Sequence, residues 1–495
     1  MRDVDLGPWL ESALPRLLPE FLPPRRWFGG KARSIQVIDF EDAVWLIDSP
    51  KRCALVVAGV RYADGARERY VLLLAFVDAA ADLPVVGCLE QSGRTVWAVE
   101  AAADADAARA LLSGFVDAPE RPTLRGGMIR YGDTSELAAR VLAGLPERGA
   151  IRSVGVEQSN TSLRVDRTLV FKLFRRLDEG ENPELEVCRF LTTRTAFRAM
   201  PTLQGSLTYV SARGEASTVG ILQDWIENRG DGWSYVLALL RQPSAGGSGH
   251  VLPRDLFALG ATTADFHAAL AADATAPAFA PEPATSADVD VWRASLLDRV
   301  AHSFALVERT VDGWPEEARQ LGGSLLDLRD QVATLVRFPD LEATSARFEK
   351  IRVHGDYHLG QTLKTTDGFI LIDFEGEPAR PLAERRLKHC ALKDVAGMIR
   401  SFDYAVETVR KERGEGGAEL LSAERLRESF FDGYVSTATA HGAAFLPKDR
   451  LALDAWIDLF ELEKALYEME YEINNRPAWV HIPLKGIIRI LRGQA

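Results

Sequence analysis

Cysteine is scarce: Cys53, Cys88, Cys188 and Cys390 are the four in 495 residues, and no two of them stand as a Cys-x-x-Cys pair. That spacing argues against a disulfide framework and fits a chain kept reduced in the cytoplasm. The eight histidines form no zinc-ligand spacing near these cysteines, so a structural metal is not expected. No run reaches the roughly 20 apolar residues of a membrane-spanning helix. The first residues also lack a basic region followed by an uninterrupted apolar stretch, so no secretory leader is expected. Positive charge is in deficit, with 59 Lys+Arg against 71 Asp+Glu and a formal net charge of -12. Nucleic acid and anionic membrane surfaces are therefore unsuitable main partners.

Apolar residues are plentiful, at 47% of the chain. That is more than one core absorbs and predicts two or three packed units. Residues 1 to about 120 alternate short β-rich runs with turn signals: Ile35 to Phe40, Ala43 to Ile47, Cys53 to Val60, Tyr70 to Phe76 and Thr95 to Val99. Such regular short strands predict an antiparallel sheet. An alanine-rich helix is expected over Ala101 to Ser113. A second segment, 121–226, holds a strand-turn-strand candidate, then a helix over Asn182 to Thr192 with Pro183 suited to its first turn. A strand pair follows over Leu207 to Trp225. From 227 to 495 the pattern is mainly helical, as at positions 256, 259, 263, 266 and 270, with loop-like stretches at 242–249 and 274–288. A β-rich half followed by a helical half predicts a two-lobed α+β enzyme.

The chemistry concentrates in VHGDYHLGQTLKTTDGFILIDFEGEP, residues 353–378. Phosphoryl transfer from ATP needs a carboxylate to orient the attacking hydroxyl and take its proton, and oxygen ligands to hold Mg²⁺ against the phosphates. Asp356 suits the first role. Gln361, five positions on, and Asp373, at the end of the apolar run Phe369-Ile370-Leu371-Ile372, suit the second. The alternative, an acidic hairpin with solvated carboxylates, explains a lone His-Gly-Asp but not two acids flanking an apolar strand with an amide between.

Upstream, Lys172 lies in the alternating strand Val170 to Phe174, where a kinase places the cation that grips the nucleotide phosphates. A lysine on a covered sheet face needs an acidic partner. Glu184 and Glu186 on the following helix are the candidates, and Glu186 is preferred. The turn Glu157-Gln158-Ser159-Asn160-Thr161-Ser162 precedes that strand. It has neither G-x-G-x-x-G nor G-x-x-x-x-G-K-[ST], yet the amides and hydroxyls of Ser159, Asn160, Thr161 and Ser162 offer a phosphate cradle; a plain Asx/Ser turn explains them as well. Catalysis on this plan requires Lys172 and the two late acids to meet one magnesium-loaded triphosphate.

Together HGDYHLGQTL, LIDFEGEPARPLAERR and LKDVAGMIRSFDYA resemble the maltokinases, including the kinase portion of trehalose synthase–maltokinase fusions. WFGGKAR, EQSNTSLRV, LVFKLFRRL, NPELEVCRFL, GDGWSY and YEINNRPAWVHIPLKGI extend the resemblance over nearly the whole chain. It implies a protein-kinase-like bilobal fold with an N-terminal cap at residues 1–120, a nucleotide-binding remainder of the N-lobe at 121–226 and a helical C-lobe at 227–495. It also implies ATP-dependent phosphorylation of the anomeric hydroxyl of maltose, supplying maltose 1-phosphate to glycogen-type α-glucan synthesis, and an association with trehalose synthase. Carried over by motif, Asp356 is the base, Gln361 and Asp373 hold Mg²⁺, and Lys172 grips ATP. Two departures stand out: Tyr357 sits beside the base where an aliphatic is commoner, and His389-Cys390 replaces a polar-proline pair.

The helix DAWIDLFELEKALYEMEYEINN carries two stripes. Leu459, Leu462, Leu466, Met469 and Ile473 mark a core face, and beside it run Phe460, Lys464, Tyr467, Tyr471 and Asn474. Lys464, Tyr467 and Tyr471 give the aromatic faces and polar donors a disaccharide needs, and the resemblance implies an acceptor site on this helix; half-buried packing tyrosines are the plainer reading of the spacing. Glu461, Glu463, Glu468, Glu470 and Glu472 on the same helix are expected to form a solvated face, which favours a neutral sugar over glucosamine or an aminoglycoside. A nucleotide-binding pseudokinase is disfavoured by the intact Asp356, Gln361, Asp373 and Lys172.

Overall fold

The computed structural model describes residues 6–47, 52–80, 82–91, 94–146, 150–154, 159–242, 248–329, 332, 336, 338–339, 347–414 and 422–493. It divides into two compact units, Met1–Thr192 with Pro201–Ile226, and Thr193–Met200 with Glu227–Ala495.

In the first unit α1 (Leu14–Phe21) precedes β1 (Ile35–Ile47), β2 (Arg52–Tyr62), β3 (Arg67–Val77), β4 (Val85–Gln91) and β5 (Arg94–Glu100), an antiparallel sheet in the order β1-β2-β3-β5-β4. Strand β2 is buried almost throughout because both of its faces are covered. Its Ala54, Val56, Ala58 and Val60 pack with Leu14, Leu18 and Phe21 of α1. The alternate Cys53, Leu55 and Val57 pack with Ala107, Ala108 and Leu111 of α2 (Ala105–Leu112). Helix α2 starts four residues later than its alanines suggest, because Asp104 caps it, accepting from the backbone N–H of Asp106 and Ala107. The runs Ile35 to Phe40 and Ala43 to Ile47 form one strand, broken in register between Phe40 and Asp42. At that bulge Asp42 turns inward and accepts from the Arg125 N–H, the Thr123 hydroxyl and the Tyr209 hydroxyl.

After α3 (Gly114–Asp117), a second antiparallel sheet assembles β6 (Glu120–Pro122), β7 (Met128–Gly132), β8 (Ile151–Ser153), β9 (Asn160–Val165), β10 (Leu169–Phe174), β12 (Leu203–Val210) and β13 (Ala216–Asp224), in the order β6-β7-β12-β13-β10-β9-β8. Between β10 and β12 come β11 (Arg176–Leu177), which crosses to pair with β3, and α5 (Pro183–Arg194); α4 (Glu136–Ala143) follows β7. The expected turn at 157–162 is corrected in part. Glu157 and Gln158 lie outside the described residues, whereas Asn160, Thr161 and Ser162 are strand, paired with Phe174, Leu173 and Lys172.

The second unit is largely helical: α6 (Gly232–Leu240), α7 (Ser248–Leu270), α8 (Ser286–Thr310), α9 (Glu316–Leu326), α10 (Leu382–Arg385), α11 (Leu392–Arg413), α12 (Ala423–Ala440), α13 (Arg450–Asn475) and α14 (His481–Gly493). Two short antiparallel strand pairs accompany them, β14 (Glu282–Pro283) with β15 (Glu349–Lys350), and the hairpin of β16 (Thr362–Lys364) with β17 (Phe369–Leu371). Helices α7 and α12 cross backbone against backbone at Gly260 and Gly433. A Cβ on Gly260 would fall 2.0 Å from the Phe430 carbonyl oxygen, and one on Gly433 would fall 2.0 Å from that of Phe257. Leu459, Leu462, Leu466, Met469 and Ile473 of α13 are buried, as their spacing predicts. No helix among the described residues is long and apolar enough to cross a membrane.

Candidate active site

The catalytic-loop candidate is held from beneath by one buried carboxylate. Asp394, in the first turn of α11, accepts from the backbone N–H of His354 (2.6 Å) and Gly355 (2.9 Å), and His267 Nε2 of α7 stands 3.0 Å away. Burial opposes its charge, but the His267 hydrogen bond and the backbone donors hold the carboxyl below its usual range. Gly355 takes φ of +85°, open to it for want of a side chain, and this turns the chain into Asp356. His354 Nε2 donates to the Ile372 carbonyl oxygen (3.0 Å), so the loop is tied to the strand end that delivers Asp373.

Asp373 itself has φ of +69°, a left-handed conformation costly for a residue with a side chain. Gln361 Nε2 donates to Asp373 Oδ2 at 2.8 Å, and the Ile372 N–H donates to the Gln361 carbonyl oxygen. The structure thus brings the two residues read as metal ligands into contact. Glu375 adds a carboxylate oxygen within 4.8 Å of one on Asp373. This donor set fits a hard divalent cation, with Gln361 joining only when its amide turns its oxygen inward.

Asp356 meets the acceptor-helix candidates. Lys464 Nζ of α13 lies 3.6 Å from Asp356 Oδ1. Burial weakens the lysine's charge, yet Asp356, Glu468 and Glu377 hold its pKa above the ordinary value. Lys464 also lies 5.2 Å from the centroid of the Tyr467 ring. Two hollows share Asp356, Gly397, Lys464 and Tyr467. The first, an open hollow of about 480 Å³ counting its solvent-facing space, extends toward Arg299, Glu377, Phe460 and Glu463. The second, about 880 Å³, opens toward Trp233, His358, Tyr404, Glu468 and Tyr471. Tyr471, 47% exposed, lies under the Arg476 guanidinium. His358 accepts at Nδ1 from the Gly360 N–H, and burial pulls its pKa down. Tyr357 faces inward, with its hydroxyl 2.8 Å from that of Thr263.

Two expectations need correction. Lys172 pairs with Glu184 (2.6 Å) where Glu186 was preferred. Glu184 and Glu186 are both buried on α5, about 200° apart at 3.6 residues per turn. Nor are the five glutamates of α13 a solvated face. Glu461 meets Arg427 and Arg489, Glu463 meets Lys393, Glu468 meets Arg400, Glu470 meets Arg299, and Glu472 meets Arg476 and Tyr404. Apart from Arg476, which caps α13 itself, these cations come from other helices, which periodicity along α13 cannot reveal. In the phosphate-cradle candidate, Ser159 is exposed and the Thr161 hydroxyl accepts from Arg175 Nε at 2.8 Å. Trp233, His358, Glu377, Asp394 and Glu468 were not singled out as site residues. All five stand inside stretches quoted from the sequence, and that was the one signal for them.

The fold is protein-kinase-like. The chain has the fold of a solved glucosamine kinase (TM-score 0.64, 20% identity, covering 96% of this chain and 99% of that one), and of another solved with glucosamine, ADP and inorganic phosphate (TM-score 0.60, 21% identity, 94% and 97%). It is 28% identical over 339 residues to the glucosamine kinase of Mycolicibacterium smegmatis, covering 67% of this chain and 77% of that protein. Residues 21–104 match the maltokinase N-terminal cap domain. These likenesses support a kinase whose N-terminal cap is of the maltokinase type.

Proposed function

We propose that this kinase transfers the γ-phosphate of ATP to the anomeric hydroxyl of maltose, giving maltose 1-phosphate for α-glucan synthesis. In this scheme Asp356 orients that hydroxyl and takes its proton. Gln361 and Asp373, with Glu375 beside them, hold Mg²⁺. Lys172, steadied by Glu184, grips the nucleotide phosphates, with Ser159, Asn160, Thr161 and Ser162 alongside. The solved relative that carries ADP supports nucleotide use.

The observation that carries the acceptor assignment is the charge balance around Asp356. In the first hollow Glu377 pairs with Arg380, Glu463 with Lys393 and Asp356 with Lys464, so no cation is called for. A neutral disaccharide fits two adjoining hollows lined by Tyr467, Tyr471 and Trp233. Glucosamine is the second reading, favoured by the names of the similar kinases. An association with trehalose synthase belongs to the same proposal and rests on resemblance.

An ADP-release assay with maltose, glucose, glucosamine and kanamycin tests the assignment. Maltose is expected to give the highest kcat/KM, and Asp356→Asn to abolish turnover while ATP still binds. A tenfold preference for glucosamine overturns the acceptor, and an active Asp356→Asn overturns the base.

A further inference from the structure

Four of the five glutamates on α13 have no carboxylate oxygen left for a ligand. Both oxygens of Glu463, Glu470 and Glu472 are engaged, and the unbonded oxygen of Glu461 is sealed in the interior. Glu468 differs. Arg400 directs both Nε (2.9 Å) and Nη2 (2.8 Å) at its Oε2 alone. Among the described residues no donor reaches Oε1, and Glu468 lines the second hollow beside Asp356, Lys464 and Tyr467.

The aim of that carboxylate is fixed. Arg400 is fully buried on α11, and Asp403 takes its third N–H contact. Helix α14 closes over the guanidinium at Gly486, where a Cβ would fall 2.4 Å from Arg400 Nη1. Of the cations facing Glu468, Arg400 holds Oε2 and Lys464 leans toward Asp356.

We propose that Glu468 is an acceptor-recognition residue. Arg400 aims it so that Oε1 takes a hydrogen bond from a donor group of the bound sugar in the second hollow. The inference rests on the sugar-kinase reading and adds the residue that reads the acceptor. The donor is a hydroxyl if the acceptor is neutral and an ammonium if it is an amino sugar, and Glu468→Gln separates the two. In that variant Arg400, a donor only, claims the amide carbonyl, so the NH₂ faces the hollow. A sugar hydroxyl can reverse and accept from it; an ammonium cannot.

With wild type and Glu468→Gln, KM is measured for maltose, glucosamine and ATP, and each sugar's affinity is measured by calorimetry without ATP. For maltose the variant is expected to raise KM about 3- to 10-fold, and for glucosamine 100-fold or more, with the KM for ATP within twofold of wild type. Arg400→Lys, which keeps the charge but loses the fork, should raise the sugar KM likewise. Unchanged sugar KM and affinity in Glu468→Gln, or an equal rise for ATP, overturns the proposal. Wild type that binds sugar without transferring phosphate, with binding lost in the variant, sinks the kinase reading and leaves Glu468 standing.

Discussion

Asp394→Asn tests how far the reaction depends on the buried carboxylate that anchors the catalytic-loop candidate. The carboxylate accepts three contacts in a site 2% exposed: Gly355 N–H at Oδ1, and His354 N–H and His267 Nε2 at Oδ2. An amide must put NH₂ at one of those positions. Placed at Oδ2 it faces two donors; placed at Oδ1 it faces one, so it settles at Oδ1 and strands the Gly355 N–H. A buried unsatisfied donor costs about 1–3 kcal/mol, and the remaining two bonds each fall from charge-assisted to neutral strength, about 1 kcal/mol apiece. The loss is about 3–5 kcal/mol, read by urea unfolding. Because Gly355 leads directly into Asp356, kcat should also fall about 10- to 100-fold while the KM for ATP holds. The sign with pH follows from the depressed pKa: the carboxylate's contribution is present above the unfolded-state value and lost as pH falls through the folded one. Asp394→Asn should lack that part of the acid limb. Stability within about 1 kcal/mol of wild type at pH 7 would refute the anchoring argument.

Tyr467→Ala should raise the KM for the sugar about tenfold with little change for ATP; equal effects on both would remove α13 from the acceptor site. Gly433→Ala should cost about 3 kcal/mol or more by thermal unfolding, since its Cβ meets backbone that cannot rotate away, whereas Gly323→Ala, with nothing within 4 Å, should be neutral or mildly stabilising. Glu463 is pushed up by burial, but Lys393 and Arg380 outweigh this and bring its pKa from 4.5 to about 2; His389, which burial drives down to about 3, is neutral near pH 7 and adds little there. Up to about 3 kcal/mol is therefore lost as pH falls from about 5 to 2, and Glu463→Gln should show a flatter acid limb in unfolding followed by circular dichroism.

What could be read from the chain was what lies close along it. Gln361, Asp373 and the strand between them occupy one short hairpin, so their spacing already implied their contact. The apolar stripe on α13 was equally legible, because burial repeats with the helical period. Partner choice across elements was not. Glu184 and Glu186 look alike in sequence, and the contact of Glu184 with Lys172 becomes visible only in the folded chain. The acids of α13 looked solvated because Arg299, Lys393, Arg400, Arg427 and Arg489 approach from α8, α11, α12 and α14. Trp233 enters the second hollow from a first helical turn whose direction is set by Asp231, the cap of α6. Asp42 split β1 into two apparent runs because a buried acid at a bulge interrupts an apolar pattern.

The crossing at Gly260 and Gly433 has a consequence for motion. With no side chain between the two backbones, there is no spacer whose rotamer change would let α7 and α12 slip. The same pair of helices supplies His267 and Tyr434, 2.9 Å apart, and His267 leads on to Asp394. A slip of one helical turn would carry His267 about 5.4 Å along its axis and out of reach of that carboxylate. The glycines therefore act as a keel: whatever rearranges when the acceptor enters, the floor beneath Asp356 stays in place.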